Sequence, residues 1–426
     1  MASFSDHPLR YELANELHAR PFPSVAPPCS AVFLAIKRTD NAVARDRAQD
    51  TAHLVQLLDR YGAPHPQPGA THYSGQIGQN TLKWEQPTEF VTYTVFTKRL
   101  SARAFDPADF DVFPADWLQD IPGVRVTSAL VRVEQETDPA IIRANLADWF
   151  VPESLAVSSV LDWSATVAAD FRIDPAGHQR FAIFAAPQTG PQRIGRVIQR
   201  LCEIETYKSM SMLGFHRARS MTPRMNEMDR DLARLMEQMA SPSQKAEATL
   251  RDLLPVSAEL ENIQTRNSFR FGATGAYEAI VSQRIEVLRE ERFEGRQTFG
   301  EFMMRRYDPA MRTVKSTEAR LAGMADRAIR AGDLLRTRVD VERSAQNQAL
   351  LESMDRRADM QLRLQSTVEG LSVVAISYYA VSLAGYLAYP LAGLVGLSKG
   401  QMLALITLPV VALVWWLVRR IRARLH

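Results

Sequence analysis

Leu371–Leu391 reads LSVVAISYYAVSLAGYLAYPL, 21 residues without a charged side chain, and Met402–Val418 reads MLALITLPVVALVWWLV, a further 17 without one. A helix needs about 20 predominantly apolar residues to cross a bilayer's hydrocarbon core, so the first segment qualifies comfortably and the second only just. The connector Ala392–Gln401 is too short to fold alone, which predicts a helical hairpin. Arg419, Arg420, Arg422 and Arg424 follow the second segment, whereas the connector carries Lys399 alone. That asymmetry predicts both termini on the cytoplasmic side. The alternative, a pair of buried core helices, is disfavoured by the length of the uncharged runs.

Outside the hairpin, the rest of the chain looks soluble. Its 426 residues allow two or three domains, and a formal net charge of +3 with interspersed acids and bases argues against nucleic acid as a partner. The two cysteines, Cys29 and Cys202, form no metal or redox spacing and are expected as buried thiols in a reducing compartment. The opening stretch MASFSDHPLRYELANELHARP has no apolar run, so no signal peptide is expected and everything before residue 370 is assigned to the cytosol.

Strand-like runs concentrate before residue 188. Ser30–Ile36, Phe90–Phe96, Val124–Val133 and His178–Ala185 are rich in β-branched and aromatic residues. Between them, Leu54, Leu57, Leu58 and Tyr61 form a helical stripe in Ala42–Tyr61 that stops at Gly62, and Asp138-Pro139 opens a helix through Trp149. From residue 192 strands vanish. Helices are expected at 192–217, 222–240, 243–265, 275–293 and 297–306, broken at Pro223, Pro242, Gly272–Gly275 and Pro309. Ser316–Tyr389 has no proline and predicts a helix of roughly 110 Å that runs from the soluble part into the first span. Leu350, Met354, Leu364, Val368 and Leu371 form a seam on it, interrupted by Arg357 and Gln361, which suits a stalk packed in a bundle or oligomer. The fold class expected is α+β, with a cytosolic mixed α/β domain over 1–188, a helical region and stalk over 189–369, and a transmembrane hairpin over 370–426.

Neither a nucleophile elbow, nor a Walker loop, nor a zincin motif is present, and the chain is expected to be no enzyme and to need no cofactor or metal. Gly75-Gln-Ile-Gly78 and Gly272-Ala-Thr-Gly275 are too short for a phosphate fingerprint and are expected as turns. Asp6–Phe22 is dense in ionisable groups. On a helix, Glu12 and Glu16 would share a face that a cation could bridge, with His18 off that face; a solvated helix pinned by Tyr11, Leu13 and Leu17 explains the pattern equally. In the first span, Ser372, Tyr379, Ser382, Tyr386 and Tyr389 step by seven, three, four and three residues and line one face. Hydroxyls in hydrocarbon need partners, so Ser372, Tyr379, Ser382 and Tyr386 are candidate pore-lining residues, with Glu369 at the cytoplasmic mouth attracting cations. The competing reading makes the outer tyrosines an interfacial belt and lets the serines bond their own backbone.

HPLRYELANELHARPF (7–22), RFGATGAYEAIVSQRIEVLRE (270–290) and QNQALLESMDRRADMQLRLQSTVEGLSVVAISYY (346–379) together resemble a bacterial family of uncharacterised membrane-anchored proteins, domain of unknown function 3422. The resemblance covers nearly the whole chain and implies anchoring in the inner membrane, with no assigned activity, ligand or catalytic residue. In plan, the chain is also similar to CorA-type metal-ion transporters, homopentamers with a stalk helix entering the first span. Those proteins carry Gly-Met-Asn after that span, where this chain reads Tyr386-Leu-Ala-Tyr389-Pro390-Leu391. The expected partners are the lipid bilayer, further copies of the chain and cations. The expected function is oligomeric cation passage. The alternative is a membrane-tethered scaffold or regulator whose cytosolic body binds a protein or small molecule.

Overall fold

The structure is a computed structural model that describes residues 6–11, 22–39, 46–241, 243–395 and 398–425. Glu12, Glu16 and His18 lie outside the described residues. In chain order the elements are β1 (Cys29–Lys37), α1 (Arg47–Arg60), β2 (His72–Ile77), β3 (Asn80–Glu85), β4 (Val91–Thr97), α2 (Ala115–Gln119), β5 (Val124–Gln135) and α3 (Pro139–Trp149). There follow β6 (Ala156–Val160), β7 (Ala165–Ala169), β8 (Gln179–Ala185), α4 (Pro191–Ala240), α5 (Ala246–Glu286), β9 (Glu291–Arg292), α6 (Phe299–Arg306), α7 (Asp308–Val395) and α8 (Lys399–Leu425). The fold is α+β. The chain divides into two compact units, one of residues 1–240 and 252–330 and one of residues 241–251 and 331–426.

The first unit is built on a nine-stranded sheet in the order β2-β3-β4-β1-β5-β8-β7-β6-β9, antiparallel throughout except for the parallel pair β5–β8. The central strand β1 is buried at every position, as expected of a run that reads CSAVFLAIK with no alternation. Alternation appears in β4, where Val91, Tyr93 and Val95 join one hydrophobic core with Leu54, Leu57 and Leu58 of α1 and Trp117 of α2. Thr92, Thr94 and Phe96 therefore point to the opposite face, along which α4 packs.

Several elements depart from the sequence expectation. Gly75 sits inside β2, and only Gly78 turns the chain, at φ +60° as the first residue of the two-residue loop between Ile77 and Asn80. β2, β3, β6 and β7 are not among the expected strands, and β9 falls inside the expected helix 275–293, where the helix instead ends at Glu286 and the chain pairs with β6. Pro223 does not break α4, because Met221, Met225 and Met228 are buried on one side of it and hold the helix together. Gly272–Gly275 likewise lies within α5. A methyl group on Gly214 of α4 would meet Thr274 Oγ1 at 2.1 Å, so the two helices touch closely there and tertiary packing overrides the weak local helix propensity. α7 starts before the expected Ser316, with Pro309 in its first turn, where a missing N–H is harmless.

In the second unit, Arg338 of α7 donates to Glu342 at 2.9 Å and to the carbonyls of Ser241 and Gln244, and Arg343 pairs with Glu247 at 3.2 Å. Beyond these contacts every side chain from 343 to 368 is exposed, including Leu350, Met354, Leu364 and Val368 of the seam.

Candidate functional site

Two places concentrate chemistry, one in each unit. In the second unit α7 and α8 are both long and apolar enough to cross a membrane, and only 6% of each apolar window is buried within the chain. All five sequence candidates lie on α7. Ser372 Oγ donates to the Val368 carbonyl at 2.8 Å and Ser382 Oγ to the Tyr378 carbonyl at 2.9 Å, so both serine donors are satisfied on their own helix. Glu369 accepts from Gln365 at 3.1 Å where the charged part of the helix ends. Tyr379 and Tyr386 are 66% and 82% exposed, and neither hydroxyl has a hydrogen bond among the described residues.

Ser382, Gly385 and Tyr386 of α7 also face Lys399, Met402 and Leu403 of α8 across a cavity of about 430 Å³. The helices come together at Gly385, where a methyl group would meet Leu403 Cδ1 at 2.8 Å. Two of the five candidates thus share a cavity inside the hairpin, whereas Ser372 and Tyr379 project outward on an uncovered face.

The second place was not foreseen. On the threonine face of the sheet, β3 and β4 meet α4 and α5 in a cleft of about 370 Å³. Lys83 Nζ donates to Gln199 Oε1 at 2.8 Å and sits 3.1 Å from Glu85 Oε2. Gln199 Nε2 donates to Glu203 Oε1 at 2.7 Å, and Arg284 Nε bonds Glu203 Oε2. The result is a relay of paired charges across the cleft. At one rim Phe90, Tyr207 and Tyr277 form an aromatic cluster with centroids 5.4–6.4 Å apart. Behind it, Glu89 is 1% exposed and accepts from Arg270 Nη2 at 2.5 Å and from Tyr277 at 2.8 Å, with Lys37 Nζ at 4.0 Å. Burial pushes the Tyr277 phenol well above its usual range, reinforced by the neighbouring Glu89 charge, so it serves as a donor.

The block 270–290 now has a structural meaning. Arg270 and Tyr277 hold Glu89, Arg284 holds Glu203, and Glu290 accepts from Ser158 at 2.6 Å and from the Phe299 and Gly300 N–H groups at 3.0 and 2.8 Å. Glu290 is buried enough to push its carboxyl up despite those donors. Cys29 and Cys202 are buried free thiols; burial pushes Cys29 up to about 12 and Cys202 higher still. No group of three or more metal-ligating side chains occurs among the described residues.

An α+β body on a nine-stranded sheet, joined to two apolar helices long enough to cross a membrane, is the class of protein that these observations define. The chain belongs to the family described as protein of unknown function DUF3422, which matches residues 5–425. No curated protein and no solved structure matches it.

Proposed function

We propose that the chain is an inner-membrane protein in which α7 and α8 both span the bilayer, both termini are cytoplasmic, and first spans from several copies surround a cation path on a CorA-like plan. The observation that carries this reading is Tyr379. It lies eight residues into the span, about 12 Å deep at 1.5 Å per residue. That is well inside a hydrocarbon core about 30 Å thick and beyond the interfacial belt where tyrosine normally sits. Its hydroxyl finds no partner among the described residues, although a polar group in hydrocarbon without one costs several kcal/mol. A neighbouring copy or water along a shared axis supplies that partner. The exposed seam at Leu350, Met354, Leu364 and Val368 supports the same assembly, because those side chains need cover as well.

The departure from Gly-Met-Asn argues against magnesium in particular and leaves the ion open. A second reading, a non-transporting membrane tether with a ligand-binding body, is favoured by the satisfied serines and by the charged cleft. Cross-linking separates the two. Tyr379→Cys should form disulfide-linked copies in native membranes, whereas Val374→Cys, about 140° around the helix, should not. The chain's own thiols, both buried, stay silent. Equal cross-linking at both positions, or none at 379, overturns the shared axis.

A further inference from the structure

The cleft between the sheet and α4 contains more than a structural ion-pair network requires. Thr92 and Thr94 are each only 8% exposed and line it, yet neither hydroxyl makes a hydrogen bond among the described residues. Both residues line the cleft, so their hydroxyls are available to a ligand or ordered water there. Donors are left over as well. Of the three N–H groups of Lys83, one goes to Gln199 and one is directed at Glu85. Arg284 uses Nε on Glu203 and Nη1 on Gln283, which leaves its Nη2 without a hydrogen bond among the described residues.

The charges also decide what fits. Lys83 and Arg284 are matched by Glu85 and Glu203, so the cleft is neutral as a whole. A ligand with net charge would leave an unbalanced charge in a poorly screened place. A zwitterion would not. Its carboxylate takes the open N–H groups of Lys83 and Arg284, and its ammonium takes lone pairs of Glu85 and Glu203. Phe33, Phe90 and Phe96 supply an apolar end. A volume of about 370 Å³ lies near the lower limit for ligand sites, which selects a small molecule.

We infer that this cleft binds a small zwitterionic metabolite of the amino-acid class, with the charged head between Lys83 and Arg284 and an apolar side group toward the phenylalanines. The inference stands whether the spans conduct or only anchor, and it gives the body of the protein a sensory site.

The test is titration calorimetry of the full-length protein in nanodiscs against the twenty proteinogenic amino acids. Each amino acid that binds is compared with its amine-free acid and its amide. The expected result is one saturable site per chain for at least one amino acid, with both analogues weaker by about tenfold or more, since each leaves a buried charge unanswered. Thr94→Val keeps every ion pair in place and should weaken binding about threefold or more. Lys83→Met should abolish binding; where it fails to fold, Thr94→Val decides. Binding of no amino acid at millimolar concentration overturns the inference. So does equal binding of the amine-free acids, which would make the cleft an anion site, or binding indifferent to Thr94→Val, which would place it elsewhere.

Discussion

Arg270→Met removes the cation closest to Glu89, a fully buried carboxylate of the first unit. Glu89 is 1% exposed, and its partners are Arg270 Nη2 at 2.5 Å, Tyr277 at 2.8 Å and Lys37 at 4.0 Å. Removing one member of a buried ion pair typically costs about 3–5 kcal/mol, mainly because the surviving charge stays buried without compensation. Two features place this site at the lower end. Lys37 remains, and the Arg270 side chain is 17% exposed, so water reaches the vacated position. About 3 kcal/mol is therefore expected, and for a body of this size about 2 °C per kcal/mol gives a melting shift of roughly 6 °C. Glu89→Gln still accepts from Tyr277 and should cost less. The double variant should cost at least about 1 kcal/mol less than the sum, because it removes both charges together. Thermal unfolding of the full-length protein in detergent, followed by tryptophan emission, reads this directly, since Trp84 and Trp117 are fully buried in the core that β4 borders. A shift below about 1 °C for Arg270→Met, or strict additivity of the two variants, would show that Glu89 does not depend on its partner.

Three further outcomes follow from particular residues. Burial lowers the pKa of His53 and of His178, so below the ordinary histidine value of about 6.5 the unfolded chain binds protons that the folded chain refuses. Stability contributed by neutral His53 and His178 is thus present above that value and is lost as pH falls through it. Melting between pH 7.5 and 5.5 should shift less in His53→Gln and in His178→Asn than in the wild type; Glu290, pushed up by burial, acts in the opposite sense, so the comparison of variants is the test. Gly385→Ala should be tolerated, because the flexible end of Leu403 can yield, whereas Gly385→Leu should separate the hairpin and lower the yield of a monodisperse protein on gel filtration. Lys399→Cys should be labelled by an impermeant thiol reagent from the outer side of the membrane; labelling only from the cytosolic side reverses the topology.

Much of this architecture is legible in the sequence. β1, β4, β5 and β8 stand out because their β-branched and aromatic runs are buried on both faces, and the hairpin because charge is absent over two long runs. The other strands are hidden for physical reasons. β2 is an edge strand reading HYSGQI, mostly polar and exposed, while β6 and β7 read AVSSV and ATVAA, small residues with weak strand preference that only the surrounding sheet makes buried. Pro223 and Gly272 read locally as breaks, and only the contact of α4 with α5 keeps both helices continuous. The stripe on α7 is visible because all its members lie on one helix, at helical spacing. The cleft is not. Its ion pair of 203 with 284 and its hydrogen bond of 83 with 199 join residues about 80 and 120 positions apart, and no local pattern links them. Without β3 recognised as a strand, nothing places Lys83, Thr92 and Thr94 on one face.

The most direct test of the central claim is cation flux into proteoliposomes that hold the wild-type protein, measured across a panel of mono- and divalent cations. Flux above empty liposomes is expected for at least one cation. Ser372→Leu, on the uncovered face that carries Tyr379, should abolish it at unchanged expression and oligomer mass, because a bulky apolar group dewets a narrow path. Glu369→Gln should lower the flux less, since it removes an attracting charge at the mouth and leaves the path open. Flux no greater than in empty liposomes across the whole panel would contradict the transport reading, and full conduction in Ser372→Leu would contradict the path along this face.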